Sequence, residues 1–463
     1  MAVGLGDELG TELGHAAGRP VMKLALLATD WLIWGVVVVF ALWVLRLRRQ
    51  PMYLENWQKV FMRPSAMISG VVLACFISIA LLDSIRWHSE NRAGEDALSL
   101  LDRTLDSLVQ ARERRYSAPL AYLSFRKESF ERDGQTVRDY PRLKFGGAQL
   151  QDPDRQWSLD ILERTAKALG KGFVIVFFVG LLLRWLLRRS PYPWGWGFAC
   201  FSLIVLIAIW VAELSAAYHV FGTDRTGNSV LWVALKSIRT ALVIGVLTTL
   251  VVLPLALGLG VMAGYFRGWV DEVIQYVYTM LSSIPDVLLI AAAVLLLQVS
   301  IDQHPELFDS ALERSDARLL FLCLILGVTA FTGLCRLVRG EAMKLRELEY
   351  VQAARAFGVS SFRIISNHIV PNLMHIVLIS LVMQFSGFVL AEAVLSYVGV
   401  GVDPKTPSFG VMINAARAEL AATPVVWWTL ATAFVFMLML VLSANLFSDA
   451  VRDAFDPRAR QRS

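Results

Sequence analysis

Few residues in this chain are placed to do covalent chemistry. Cys75, Cys200, Cys323 and Cys335 fall inside or at the edge of apolar blocks. They form no CxxC pair and no His/Cys cluster at metal-ligand spacing, so they read as small buried hydrophobes and no metal site is expected. Neither HExxH nor GxSxG occurs. A phosphate loop requires Gly-x-x-x-x-Gly-Lys-Ser/Thr. The one Gly-Lys pair, Gly170-Lys171, has Thr165 where the first Gly belongs and Gly172 in place of Ser/Thr. The chain is expected to be no enzyme and to hydrolyse no nucleotide itself.

Docking and leverage are the chemistry that 339–372 suggests. Residues 341–357 are rich in Ala, Leu, Glu, Lys and Arg, good helix formers. Gly358 stands where a left-handed C-terminal cap is expected, and Ser360 or Ser361 can N-cap a second short helix that Pro371 closes. Ala353, Ala354 and Ala356 make a face without bulk, open to close approach by another backbone. Two readings fit: an ordinary surface helix-turn-helix, or a lever whose displacement tilts the spans on either side.

Three further features bear on function. Asp224 and Gly227 suit a turn outside the membrane. Glu392 lies in an apolar run near its end, either as a hydrogen-bonded structural group or as a lining of a translocation path. Ala256, Gly260 and Gly264 recur every four residues, a face for close helix packing, and Pro254 is expected to kink the same span. Asp30, Asp83, Glu213 and Asp286 sit near span ends, where charge is cheaper, and carry no assignment.

The elements that must position these residues are membrane helices. Of 463 residues, 56% are hydrophobic and 18% charged, against roughly 45–50% and about 25% in soluble domains. That excludes a disordered chain, a disulfide scaffold and most soluble enzymes, and the modest net charge of +5 points to no nucleic-acid partner. Nine apolar spans are predicted, near 24–45, 66–83, 172–188, 197–215, 241–265, 273–300, 319–338, 373–395 and 424–447. The chain is read as an all-α polytopic protein of the lipid bilayer. Residues 1–20 are Gly-rich and lack a basic leader region, so no secretory signal peptide is expected.

With the C-terminus in the cytoplasm, 19 of the 44 Lys and Arg fall beside cytoplasmic span ends, including Arg46, Arg48, Arg49, Arg188, Arg189, Arg458, Arg460 and Arg462. Nine, including Arg19 and Lys23, fall in the opposite short loops and the N-terminal tail, and 16 lie in the polar stretch 86–171. The N-terminus and that stretch are therefore expected outside. Within it, 96–109 and 157–169 carry leucines at helical spacing, and Pro119, Pro141, Gly146, Gly147 and Pro153 punctuate the interval. A small mixed domain or helical hairpin is expected there, marginally able to fold alone.

Gln352-Ala353-Ala354, then Gly358, then His368-Ile369-Val370-Pro371 resemble the EAA loop of ABC importer permeases. The family pattern has Glu, Ile and Leu where this chain has Gln352, His368 and Val370. The fuller string from Glu349 to Asn372 is similar to the dipeptide/oligopeptide/nickel branch. Gly222-Thr223-Asp224 with Gly227 looks like that branch's Gly-Thr-Asp segment, though Asn228 and Ser229 replace its Arg and Asp. The run Ala391-Glu392 through Gly401 and the run from Ala263 to Glu272 also fit.

The resemblance covers about 198–458 and implies a type I importer fold with a six-helix core at 197–463. The rest divides into extra helices at 1–85, an extracytoplasmic soluble insert at 86–171, and a third extra helix with a cytoplasmic turn at 172–196. The resemblance further implies a bacterial inner-membrane permease importing peptides or similar solutes. It would work with a second, non-identical permease subunit, two cytoplasmic ATPases that bind ATP and Mg, and an extracytoplasmic binding protein. This chain itself would hold no cofactor. The competing readings are a secondary transporter, which would want several mid-membrane carboxylates, and a scaffold that recruits ATPases without transport.

Overall fold

The computed structural model describes residues 22–24, 26–47, 51–89, 98–132, 135–186, 192–308 and 310–455. Residues 1–20, Arg48, Arg49, Arg188, Arg189, Arg458, Arg460, Arg462 and the side chain of Lys23 lie outside what it describes.

Strand β1 (Met22–Leu24) leads into α1 (Ala28–Leu47), α2 (Pro51–Phe61) and α3 (Pro64–Ser84). The insert holds β2 (Arg86–Ser89), β3 (Leu98–Ser99), α4 (Leu100–Thr104), α5 (Asp106–Gln110), β4 (Glu128–Arg132) and β5 (Gln135–Asp139). Then come α6 (Pro153–Leu186), α7 (Trp194–Ser215), α8 (Val230–Phe266), α9 (Trp269–Ser283), α10 (Asp286–Gln303) and α11 (Ala311–Arg346). The chain continues through α12 (Glu349–Ala356), α13 (Ser361–Ile364), α14 (Val370–Val398), α15 (Phe409–Leu420) and α16 (Trp428–Phe455). Among the described residues, nine helices are long and apolar enough to cross a membrane. The sheet content is small: β1–β2–β3, antiparallel with Lys23 opposite His88, and the hairpin β4–β5.

At 37 and 36 residues, α8 and α11 far exceed the roughly 20 residues a bilayer requires. They lie side by side because glycines let them. A Cβ on Gly260 would stand 2.8 Å from the Cys335 carbonyl oxygen, and one on Gly264 only 2.6 Å from that of Arg339. Pro254 sits inside α8, which continues through it. The N-terminal helices attach to this pair, with α3 against α7, α8 and α16, and α1 against α8 and α11, while α6 runs along α7.

Several expectations need correcting. The span at 273–300 is two helices, because Ile284 before Pro285 is extended (φ −92°, ψ 134°) and breaks the ladder. Residues 341–357 are likewise interrupted, at Glu347 and Leu348 between α11 and α12. Pro371 closes nothing: α13, a π turn over Ile365–Ile369 and α14 form one continuous helical span, 361–398. The Val370 N–H reaches back to the Ile365 carbonyl, and the wide turn accommodates the residue that cannot donate. In the insert, the described part of 96–109 is the short strand β3 followed by α4 and α5, in place of one helix. Residues 157–169 belong to the long α6, which passes unbroken through position 171, where a domain boundary was drawn.

Candidate functional site

Helix α8 is about 55 Å long at 1.5 Å per residue, and two candidate sites occupy its opposite ends. The loop between α11 and α14 stands at one. Gly358 adopts φ +74°, its N–H donating to the Arg355 carbonyl (3.0 Å) and that of Val359 to Ala354 (3.1 Å). This is a Schellman cap, and it turns the chain from α12 into α13. Val351, Ile364 and Ile369 are buried and anchor the loop on the α8–α11 core. Ala354 and Val370 pack beside them, while Gln352, Ala353 and Pro371 are exposed. Gln352 Nε2 donates to the Glu347 carbonyl (3.2 Å), and Glu347 pairs with Arg267 (2.6 Å).

Among the residues the loop turns outward are two large aromatics. Phe357 is 87% exposed and Phe362 81%. The sequence reading named neither, nor Tyr350. The Tyr350 ring meets that of His368 edge-on at 5.9 Å, and its hydroxyl accepts from Asn372 Nδ2 (3.1 Å). These contacts tie α12 to the start of α14.

At the other end, Gly222, Thr223, Asp224 and Gly227 make a tight turn. Asp224 Oδ1 accepts from the Thr226 N–H (2.8 Å) and the Asn228 N–H (2.9 Å). Gly222 (φ +72°) and Gly227 (φ +81°) require the left-handed region. The insert lies on this turn, burying Gly222, Thr223 and Gly227 and leaving Arg225 and Thr226 exposed. The Glu113 N–H donates to the Gly227 carbonyl (3.0 Å), and the Thr223 N–H to that of Ser117 (3.1 Å). A Cβ on Gly227 would overlap the Glu113 carbonyl. Trp428 Nε1 donates to the Thr223 carbonyl (3.0 Å), and the Phe125 ring meets Trp428 edge-on at 4.8 Å.

Glu113, 6% exposed, secures this junction. Its carboxylate accepts from the backbone N–H groups of Lys144 (2.9 Å), Phe145 (2.7 Å) and Gly146 (3.1 Å). Burial pushes its carboxyl up, but His219, 3.8 Å away, and the three N–H groups outweigh that and hold it at about 2.

Glu392 is buried between α14 and α15. It is 1% exposed, accepts from Ser396 Oγ (2.6 Å) and abuts Gly410, where Ser408 caps the start of α15. The aspartates left unassigned matter more. Asp30, 0% exposed, pairs with Arg239 (2.5 Å) and accepts from Ser84 Oγ (2.7 Å). The Thr29 N–H donates to Asp316 (3.0 Å), and Lys236 bridges Asp102 (2.7 Å) and Asp83 (3.6 Å). The cluster ties α1, α3 and α4 to α8 and α11, and its Asp83, Asp102, Lys236, Arg239 and Asp316 line a cavity of about 300 Å³. No local pattern signals it, since the partners stand up to 287 positions apart.

Residues 256–461 match the model of the family described as "Binding-protein-dependent transport system inner membrane component". The oligopeptide transport system permease protein OppC of Mycobacterium tuberculosis is 34% identical over 242 residues, 52% of this chain and 77% of that protein. The glutathione transport system permease protein GsiD of Pectobacterium atrosepticum is 29% identical over 250 residues, 54% of this chain and 75% of that protein. The dipeptide transport system permease protein DppC of Bacillus subtilis is 27% identical over 246 residues, 53% and 71% respectively. The chain belongs to this family. It is a multi-pass membrane permease subunit of a binding-protein-dependent ABC importer, a transport component.

Proposed function

We propose that this permease imports peptides or similar small solutes, as the names of its relatives suggest. It pairs with a second, non-identical permease subunit, and two ATPases grip the paired loops from the cytoplasm. ATP and Mg bind to those ATPases, and this chain carries no cofactor. The observation that carries the reading is the loop at 347–371. Its exposed Phe357 and Phe362 offer a hydrophobic grip, and its Tyr350–His368–Asn372 contacts transmit a push to α11 and α14 together. Gln352, Ala353, Ala354, Gly358, His368, Val370 and Pro371 are the coupling residues. ATPase closure then changes the relative stability of inward- and outward-facing states. The end bearing the insert, with Gly222, Thr223, Asp224 and Gly227, faces outside and receives the binding protein. The N-terminus lies on that side and the C-terminus in the cytoplasm. Glu392 positions α15 beside α14.

Two measurements test this. Purification from native membranes should bring down ATPase subunits and a second permease, and their absence would favour a secondary transporter. In Gly358→Val, a β-branched residue meets φ +74° with open space around it, so backbone strain is the sole penalty. Normal insertion with uncoupled uptake is expected; undiminished uptake at wild-type protein levels counts against the coupling role.

A further inference from the structure

The insert is bolted down. Residues 112–117 lie along the turn at 223–227, with Arg112 Nε donating to the Thr226 carbonyl (3.2 Å) in addition to the backbone pairs around Gly227 and Thr223. Phe125 is seated against Trp428, and the Gly147 N–H donates to the Ala217 carbonyl (3.0 Å). A plate held in this way keeps a fixed orientation relative to the spans.

The plate turns positive charge outward. Arg112, Arg114, Arg115 and Lys144 are exposed, as is Arg225 at the tip of the turn beneath. None pairs with a carboxylate among the described residues. The nearby acids are spent or buried: Glu113 is spent on three backbone N–H groups, Asp224 on its own turn, and Glu419 is buried beneath. A single-sign patch steers an oppositely charged partner and sets its orientation. A second copy of this chain would bring like charges together. A headgroup-binding cluster belongs at the span ends, whereas this patch is stacked on a turn already beyond the ends of α7 and α8.

We infer that the face formed by Arg112, Arg114, Arg115, Lys144 and Arg225 is the landing surface for an acidic face of the solute-binding protein. This rests on the reading that the insert lies outside and that a binding protein serves it.

The test uses the complete importer in nanodiscs, with ATPase rate followed against binding-protein concentration at low and high salt. In Arg114→Glu/Arg115→Glu/Lys144→Glu, the half-saturating concentration should rise roughly tenfold or more at low salt, and much of its salt dependence should vanish. Basal and saturated rates should stay at wild-type values. The Gln versions of the same three changes should move it less, in the same direction. Wild-type half-saturation in the Glu variant, with normal stimulation, overturns the landing surface and leaves the functional reading intact. So does an effect that follows the anionic-lipid content of the nanodisc without binding protein. A wild-type complex that no binding protein stimulates takes down both.

Discussion

Glu113 shows how one side chain can decide whether an insertion is attached or loose. Its folded carboxyl value, about 2, lies below the ordinary 4.5. Its contribution, up to about 3 kcal/mol, is therefore fully present above about pH 4.5 and is lost as pH falls through about 2. Glu113→Gln leaves the Lys144, Phe145 and Gly146 N–H groups with a poorer acceptor. Amide exchange across 111–150 should accelerate at pH 7 while exchange in α8 and α11 does not. In the wild type the same segment should loosen only in strong acid. Protection of 111–150 equal to wild type in the Gln variant would contradict this. The sequence shows Glu113 as one charge among many; its three donors come from a loop some thirty positions away.

Among the elements, α8 and α11 are the axle of the molecule, and their contact was legible. Ala256, Gly260 and Gly264 at four-residue spacing read as a packing face, and the structure places Cys335, Val338 and Ala342 against the two glycines. Gly264→Leu should overpack that contact and lower stability by about 1–3 kcal/mol, read as an earlier thermal unfolding transition in detergent; Gly258→Leu, where added bulk meets open space, should leave it in place. The join between α1 and α8 was not legible. Arg239→Met removes the nearer cation from a fully buried Asp30 and leaves it Arg86 at 4.0 Å, with an expected loss of about 3 kcal/mol, and Arg239→Met/Asp30→Leu should recover part of it. Additive losses in the double variant would mean that the pair is not coupled.

For the whole molecule, the proposed sidedness makes a direct prediction. A cysteine at the exposed Ser107 should react with an impermeant thiol reagent in intact spheroplasts. Reaction only after lysis would invert the topology and with it the external cap. The packing also changes how the insert can be probed. Excising 111–150 would uncover Trp428 and Tyr218, both buried, so failed assembly is the expected result and loss of docking could not be read from it. The insert folds on the permease, and the expectation that it stands alone is replaced by one of shared structure.

Sequence by itself determined what local chemistry controls: nine apolar helices, the left-handed stop at Gly358, the small-residue face of α8, and the resemblance of the loop at 339–372 to a coupling loop. Each depends on a run of neighbours or on the steric needs of one residue. Tertiary structure decided whatever depends on a distant partner. It made Asp30, Asp83 and Asp316 a clamp, buried Glu392 against α15, and laid the insert over Gly222, Thr223 and Gly227. A buried charge or an occupied turn is defined by what lies across from it in space, and spacing along the chain does not carry that information.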